Sequence, residues 1–274
     1  MTRKAAPSRF PLGLDRVGGA ASRTLPDTLR PQRLLHDVAR ASSLDAAREQ
    51  PPSGLGLDSA AVRARMVQRL RAAGIHDDAV LGAMASVPRH LFVDTALANQ
   101  AYEDTSLPIG HGQTISKLSV VARMLCLLRE RPGAAASSDL GSVLEIGTGC
   151  GYQTALLARL AKRVVSIERL RALHDKAHEN LAGSLGHHVR LLFADGRLGH
   201  APHAPYDTII AAAGGDALPA AWLDQLAEGG RLVAPMFDAK SGGQLLVVVD
   251  KRDGVYRHQQ LDAVHFVPLK SGTA

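Results

Sequence analysis

Regular hydrophobic patterning begins at Asp58 and first has the period of a helix. Apolar side chains recur every three or four residues, at Val62, Met66, Leu70 and Ala73. This spacing places them on one helix face, and Gly74 follows at a position that commonly ends a helix. A second helix is predicted between Asp77, a favourable N-cap, and Pro88. A third is predicted directly after Ser116.

From residue 139 onward the pattern changes to short apolar runs separated by helical segments. The runs expected to form strands are Val143–Ile146, Val164–Glu168, Val189–Phe193, Tyr206–Ala212 and Arg231–Met236. Their alternation with helices predicts an α/β fold with a doubly wound, mostly parallel sheet. Two further runs, Gln244–Val249 and Val255–Pro268, are joined by a turn sequence and predict an antiparallel strand pair at the C-terminal end.

Residues 1–57 lack this regular patterning. They contain Pro, Gly, Ser and scattered Arg without sustained periodicity, which is typical of a disordered extension. We therefore expect a single folded domain, residues 58–274, after an extension of residues 1–57. Within the domain, residues 58–138 are predicted to form a helical and lid segment, and residues 139–274 the ligand-binding sheet.

A stretch without clear periodicity, Ala101–Ser116, lies between the predicted helices. Irregular segments of this length inside a compact domain often have a function. Because it precedes the central strand and can fold over a pocket at the sheet edge, we interpret it as a lid.

Composition bounds the class of protein. The chain has 274 residues, of which 46% are hydrophobic, so it can bury a large core. Its two cysteines provide no disulfide framework, and it has no apolar run near the ~18 residues of a membrane span and no signal-peptide core. These features favour a cytoplasmic protein with no membrane partner.

The net charge of +6 is concentrated at one end of the chain. Residues 1–75 contain thirteen Lys or Arg and six Asp or Glu, whereas the other 199 residues contain nineteen and twenty. The predicted ligand-binding part is thus close to neutral. A basic arm adds weak, salt-sensitive attraction to polyanions, but we predict no nucleic-acid partner.

The first apolar strand runs directly into three glycines at alternate positions, Gly147, Gly149 and Gly151. A strand, a glycine turn and a helix start allow backbone to approach a ligand closely. Dinucleotide-binding turns follow G-x-G-x-x-G, whereas Tyr152 occupies the third glycine's place here. Glu145, two residues before the turn, suits a cationic or hydroxyl-bearing ligand and disfavours a pyrophosphate.

Acidic residues also end the next two predicted strands. Glu168 lies twenty-one residues after Gly147, about the distance at which an acid meets a ribose in this architecture, and Asp195-Gly196 lies where an adenine amino group is expected. No phosphate-binding P-loop motif occurs, and no metal site is predicted. The pattern favours a cofactor with ribose and adenine but no phosphate.

Several longer motifs identify a family. They are Val87–Val93, Tyr102–Thr105, Leu107–Ser116, Leu144–Tyr152, Leu226–Val233 and Phe266–Leu269. The glycine turn resembles motif I of class I S-adenosylmethionine-dependent methyltransferases. With the stretch ending at Ser116, residues 58–274 resemble the protein-L-isoaspartate O-methyltransferases.

This resemblance implies a Rossmann-like methyltransferase sheet and S-adenosyl-L-methionine as cofactor. It implies methylation of the free α-carboxylate of L-isoaspartyl residues in damaged proteins and peptides, which initiates their repair. We expect a monomer. The cofactor-binding residues are expected to be Glu145, Gly147, Thr148, Gly149, Gly151, Glu168, Asp195 and Gly196.

The acceptor side is expected to comprise Thr114, Ile115, Ser116 and His265, with Ser116 as the catalytic candidate. Its hydroxyl can orient the acceptor carboxylate, but a helix N-cap is an alternative role for this serine. Lys117-Leu118 and His265 depart from the family's usual residues. A methyltransferase for another acceptor, or a cofactor-binding paralogue with weak or no turnover, therefore remain alternatives.

Overall fold

The computed structural model describes residues 60–135, 138–183 and 186–274. The helices in these ranges are α1 (Ala60–Ala72), α2 (Asp78–Ser86), α3 (Leu118–Arg129), α4 (Tyr152–Leu160), α5 (Arg171–Leu181) and α6 (Ala220–Asp224). The strands are β1 (Leu107–Gly110), β2 (Gln113–Ile115), β3 (Ser142–Ile146), β4 (Arg163–Glu168), β5 (Val189–Phe193), β6 (Tyr206–Ala211), β7 (Leu226–Asp238), β8 (Gly243–Arg252) and β9 (Val255–Val264). Short 3₁₀ helices span Arg89–Phe92, Thr95–Gln100, Gly196–Leu198 and Ala201–His203.

Seven of the described strands form one sheet in the order β5-β4-β3-β6-β7-β8-β9. The first five run parallel, and β8 and β9 are antiparallel to their neighbours. Strand β3 lies at the switch point, because the chain adds β4 and β5 on one side of it and β6 onward on the other. The predicted doubly wound sheet with an antiparallel C-terminal pair is confirmed.

Both faces of the sheet are covered, as the continuous apolar runs predicted. Successive residues of β3 point to opposite faces, so Val143 packs in one core cluster and Leu144 in the other. The first cluster includes buried residues of α1 to α5, and the second includes Trp222 of α6. Burial on both faces fixes the position of β3 and therefore of the turn that follows it.

The helical segment is secured by capping and charge. Asp77 caps α2, as predicted, by accepting a hydrogen bond from the backbone N–H of Val80 at 3.0 Å. Its other oxygen accepts from Nε of Arg129 at the end of α3, at 2.6 Å. One carboxylate thus joins the start of one helix to the end of another.

The predicted lid segment, residues 101–116, is more regular than its sequence suggested. It contains an antiparallel hairpin of β1 and β2, whose turn has positive φ angles at Gly110, His111 and Gly112. Leu107 and Ile109 alternate with exposed neighbours, a period-two signal too short to stand out in the sequence. The segment therefore has internal hydrogen bonding of its own.

Two predicted strand boundaries were wrong. β7 begins at Leu226, before Gly229-Gly230. Leu226 pairs with Tyr206 and Arg231 with Thr208, so the two glycines lie within the strand at a shift in its register with β6. β9 ends at Val264, because the side-chain amide of Gln244 bonds both the N–H and the carbonyl of Phe266 and turns the chain away from the sheet.

All described residues belong to one compact unit, residues 53–274. The predicted extension, residues 1–57, and its boundary lie outside the described residues and stay predictions. None of the helices in the described part is long and apolar enough to cross a membrane.

Candidate active site

A cleft of about 1080 Å³, including the part open to solvent, lies at the carboxyl ends of the parallel strands. Its wall includes the glycine turn after β3, the end of β4, the start of the 3₁₀ helix after β5, the hairpin β1–β2 and the chain after β9. Ligands in doubly wound sheets bind at this edge, beside the switch point. The cleft is therefore the candidate active site.

The glycine turn needs backbone conformations that favour glycine. Gly147 and Gly151 both have φ near +91°, in the left-handed region. At Gly151, a Cβ atom would also lie 2.8 Å from Cδ1 of Leu181, so a side chain there would separate the turn from α5. Gly147, Thr148 and Gly149 line the cleft, whereas Gly151 starts α4 behind it.

The turn is held from three directions. The N–H groups of Gly147 and Thr148 donate to the carbonyl of Ile167 in the adjacent strand, at 2.8 and 3.2 Å. The Asn180 side chain donates to the carbonyl of Cys150 at 2.9 Å. The Thr148 hydroxyl lies 2.6 Å from that of Ser166. These contacts with β4 and α5 fix the part of the cleft wall that the turn forms.

Glu168 lies at the centre of this arrangement and is 5% exposed. One carboxylate oxygen accepts from the N–H of Gly149, and the other accepts from the N–H of Leu170, both at 2.9 Å. A carboxylate oxygen can accept more than one hydrogen bond, so both retain capacity towards the cleft. Among the described residues of the cleft wall, Glu168 is the single carboxylate.

Glu145 does not line the cleft. Its carboxyl is fully buried and accepts hydrogen bonds from Gln153 at 3.0 Å, from Ser166 at 2.7 Å and from Thr154. Burial raises its pKa to about 7 despite these three donors. We therefore assign Glu145 to support of the strand, the turn and α4, rather than to the ligand contact expected from the sequence.

Asp195 and Gly196 differ in position relative to the cleft. Gly196 lines the cleft, where a Cβ atom would meet Cγ2 of Ile146 at 2.6 Å, and its carbonyl accepts from the Trp222 indole at 2.8 Å. Asp195 lies just outside the wall. Its oxygens accept from the N–H groups of Arg197 at 2.9 Å and Gly272 at 2.6 Å.

On the opposite side of the cleft, Thr114, Ile115 and Ser116, the residues expected on the acceptor side, line the wall together. The half-buried Ser116 is not a helix cap: Lys117 occupies the N-cap position of α3. Instead, Asp104 accepts from the N–H and hydroxyl of Ser119 at 2.8 and 2.7 Å. Among the described residues, the Ser116 hydroxyl has no hydrogen-bond partner.

The chain after β9 is a part of the wall that sequence reasoning did not assign. Val267, Pro268, Leu269 and Lys270 line the cleft, whereas the predicted substrate residue His265 is exposed and lies outside it. The segment is anchored by backbone bonds of Val267 and Leu269 to Gly214. The sequence did contain a signal for this segment: the motif Phe266–Leu269 contributed to the family resemblance, although no role was assigned to it.

Other wall residues were also unassigned from sequence. Ile109, His111 and Gln113 come from the hairpin, and Arg169 follows Glu168. Nε of Arg169 donates to the carbonyl of Gly272 at 2.9 Å. No pattern in the sequence indicates this long-range contact. The described residues contain no cluster of three or more His, Cys, Asp or Glu side chains placed to hold a metal ion.

The doubly wound sheet with its antiparallel C-terminal pair, the G-x-G-x-G turn after the central strand and the acid ending the next strand together fit the class I S-adenosylmethionine-dependent methyltransferases. The sequence model of the protein-L-isoaspartate(D-aspartate) O-methyltransferase family matches residues 61–274. The chain belongs to this family. It is a carboxyl methyltransferase that uses S-adenosyl-L-methionine and acts in the repair of isoaspartyl-damaged proteins.

Relatives and solved structures agree. A protein-L-isoaspartate O-methyltransferase of Methylibium petroleiphilum is 60% identical over 266 residues, which cover 97% of this chain and 96% of the relative. One of Leptothrix cholodnii is 58% identical over 275 residues, with 97% and 95% covered. A structure from Plasmodium falciparum, described as a candidate member of the family in complex with S-adenosyl-L-homocysteine, is 25% identical with a TM-score of 0.63 and covers 75% of this chain and 97% of that one.

The buried carboxyl of Glu145 predicts a specific pH dependence of stability. Because its pKa is about 7 in the folded protein against an ordinary value of 4.5, folding favours the protonated form. This stabilisation is complete below the unfolded pKa and is lost as the pH rises to about 7. The stability of the natural protein relative to Glu145→Gln should therefore fall by about 3 kcal/mol across this window. Urea unfolding of both proteins from pH 5 to pH 8 measures it; a difference that is flat or rises with pH contradicts the assignment.

Proposed function

We propose that methyl transfer takes place in the cleft between the glycine turn and Ser116. The donor is held by the turn, Glu168 and Gly196, and the acceptor carboxylate is met by Thr114, Ile115 and Ser116. The observation that carries this proposal is that the two groups, from opposite sides of the sheet edge, line one cleft.

The residues present fit S-adenosyl-L-methionine. Glu168 presents two charged acceptors for the two hydroxyls of a ribose, and its position is fixed by Gly149 and Leu170. Gly196 lines the cleft at the end of the neighbouring strand, where an adenine ring is expected in this fold. Asp195 can meet the adenine amino group with acceptor capacity left by Arg197 and Gly272.

The acceptor side needs no general base. A carboxylate with a pKa of about 3–4 is already ionised at neutral pH, and the cofactor supplies a methyl group activated on a sulfonium. What remains for the protein is to align the reacting groups and exclude water. The free hydroxyl of Ser116 donates to the acceptor carboxylate, and the hairpin β1–β2 with the chain after β9 covers the cleft.

We further propose that residues 58–274 are the catalytic unit and that the enzyme is a cytoplasmic monomer without a nucleic-acid partner. The family match to residues 61–274 supports the first statement. The free, buried cysteines Cys126 and Cys150 fit a reducing compartment. Near-neutral charge over residues 76–274 argues against a polyanion site on the catalytic unit.

The substrate class is tested with two peptides that differ at one linkage. Labelled methyl should pass from S-adenosyl-L-methionine to an L-isoaspartyl peptide and not to its L-aspartyl twin, because the twin has no free α-carboxylate at that position. Equal labelling of both peptides would indicate a different acceptor. Labelling of neither, with cofactor binding intact, would indicate a paralogue without turnover.

The ribose contact is tested with Glu168→Ala. Loss of charged hydrogen bonds should weaken S-adenosyl-L-homocysteine binding by about 10- to 150-fold, equivalent to roughly 1.5–3 kcal/mol. The melting temperature should also fall, because the N–H groups of Gly149 and Leu170 lose their acceptor. Calorimetry gives the affinity. Unchanged affinity in a folded variant would remove Glu168 from the cofactor site.

The role of Ser116 is tested against a neighbouring serine. Ser116→Ala should lower kcat/KM for the isoaspartyl peptide about 10- to 100-fold, since one hydrogen bond to a charged group contributes roughly 1.5–3 kcal/mol. Its melting temperature should be nearly unchanged because the hydroxyl caps no helix. Ser116→Thr should retain much of the activity.

Ser119→Ala is the matched control. Its hydroxyl donates to Asp104, but the Ser119 N–H donates to the same carboxylate and remains in this variant, so the variant should lose some stability and keep its kcat/KM. Full activity of Ser116→Ala, or an equal loss of activity in Ser119→Ala, would refute the acceptor role of Ser116.

A further inference from the structure

Arg89 is the most unusual charged residue in the described part of the chain. It is 0% exposed, and burial lowers the pKa of its guanidinium. Its Nη2 donates to the carbonyl of Ser116 at 2.8 Å and, weakly, to that of Thr105 at 3.4 Å. Nε and Nη1 are buried without hydrogen-bond partners among the described residues.

Two other arginines have side chains that are only 9% and 12% exposed, and both form ion pairs. Arg129 and Arg231 each place Nε 2.6 Å from a carboxylate, of Asp77 and Asp250 respectively. No carboxylate within the described ranges forms such a bridge to Arg89. An unpaired buried charge is costly, so packing alone does not explain why an arginine occupies this place.

The contacts of Arg89 both lead to the acceptor side of the cleft. Besides the Ser116 carbonyl, its Cζ lies 4.9 Å from the centroid of the Tyr152 ring. Both Ser116 and Tyr152 line the cleft, and the buried Tyr152 hydroxyl, which has no well-aligned hydrogen-bond partner among the described residues, interacts with the Arg89 guanidinium. Arg89 thus lies directly behind two wall residues, with the rest of its side chain enclosed in the core.

We propose that Arg89 is a positioning residue for the acceptor. Its hydrogen bond fixes the Ser116 peptide so that the serine hydroxyl faces the acceptor carboxylate. Its buried charge interacts electrostatically with Asp104 but is bonded to no carboxylate among the described residues, and it therefore favours a negatively charged acceptor over a neutral one. This inference rests on the proposed role of Ser116, and it gives a function to the motif Val87–Val93, which otherwise has none.

The test uses Arg89→Met, which keeps the buried volume and removes the charge and the donors. We expect kcat/KM for the isoaspartyl peptide to fall about 10- to 100-fold, with a raised KM, while the Kd for S-adenosyl-L-homocysteine stays within about threefold. Arg89→Lys keeps the charge but cannot span two carbonyls, and should show a smaller rise in KM. A kcat/KM of Arg89→Met within about threefold of the natural protein, below its melting temperature, overturns the proposal.

If Arg89→Met does not fold, Arg89→Lys decides, and an unchanged KM in that variant overturns the proposal. Arg231→Met is the control for loss of a buried arginine. It leaves Asp250 unpaired, so it should lower the melting temperature and leave kcat/KM unchanged. A similar loss of peptide kcat/KM in this control would show that the Arg89 effect is not specific.

The double variant Arg89→Met/Ser116→Ala separates this proposal from the one on which it rests. If Arg89 acts through Ser116, the double variant should be no worse than the poorer single variant. Multiplying losses overturn that connection. A fully active Ser116→Ala contradicts the role of Ser116 itself, whereas a fully active Arg89→Met beside an impaired Ser116→Ala contradicts only the role of Arg89.

Discussion

The carboxylate of Glu168 is the interaction on which the geometry of the cleft depends. It binds the turn after β3 through Gly149 and the start of α5 through Leu170, so it joins two βα units that also meet through backbone pairing and through the Asn180–Cys150 and Thr148–Ser166 contacts. The charge on a largely buried carboxylate makes these hydrogen bonds strong. The same oxygens face the proposed ribose position. The Glu168 carboxylate therefore both fixes the shape of the cleft and supplies the acceptors proposed for the ribose.

The opposite wall of the cleft is held differently, because side-chain hydrogen bonds connect the lid segment to the helices packed against it. Asp104 binds the first turn of α3, Tyr102 bonds the ring of His90, and Arg89 reaches the carbonyls at both ends of the hairpin. These anchors belong to the helical segment before the sheet. The helical segment that precedes the sheet in sequence thus supports the proposed acceptor side of the cleft.

Much of this arrangement could be predicted from sequence because parallel strands end at one edge. The glycine turn, Glu168 and Gly196 each follow an apolar run, so order along the chain predicts proximity in space. The same reasoning failed to predict the direction of the Glu145 side chain, since the sequence does not show that Gln153, Thr154 and Ser166 converge on it. Nor does the sequence show that Asp195 accepts a hydrogen bond from the N–H of Gly272, which is 77 positions away.

The long-range contacts of the chain after β9 affect the order in which parts of the protein fold. Residues 267–272 reach back to Gly214, Asp195 and Arg169, across as many as 103 positions of sequence. Strands β3, β4 and β5 pair across 21 to 25 positions and β3 and β6 across 65, whereas the bonds to Asp195 and Arg169 close loops of 77 and 103 positions at a larger entropic cost. The sheet and its hydrophobic layers are thus expected to form before the cleft is complete. The cleft is therefore expected to become able to bind a ligand only when residues 267–272 pack onto the sheet that has already formed.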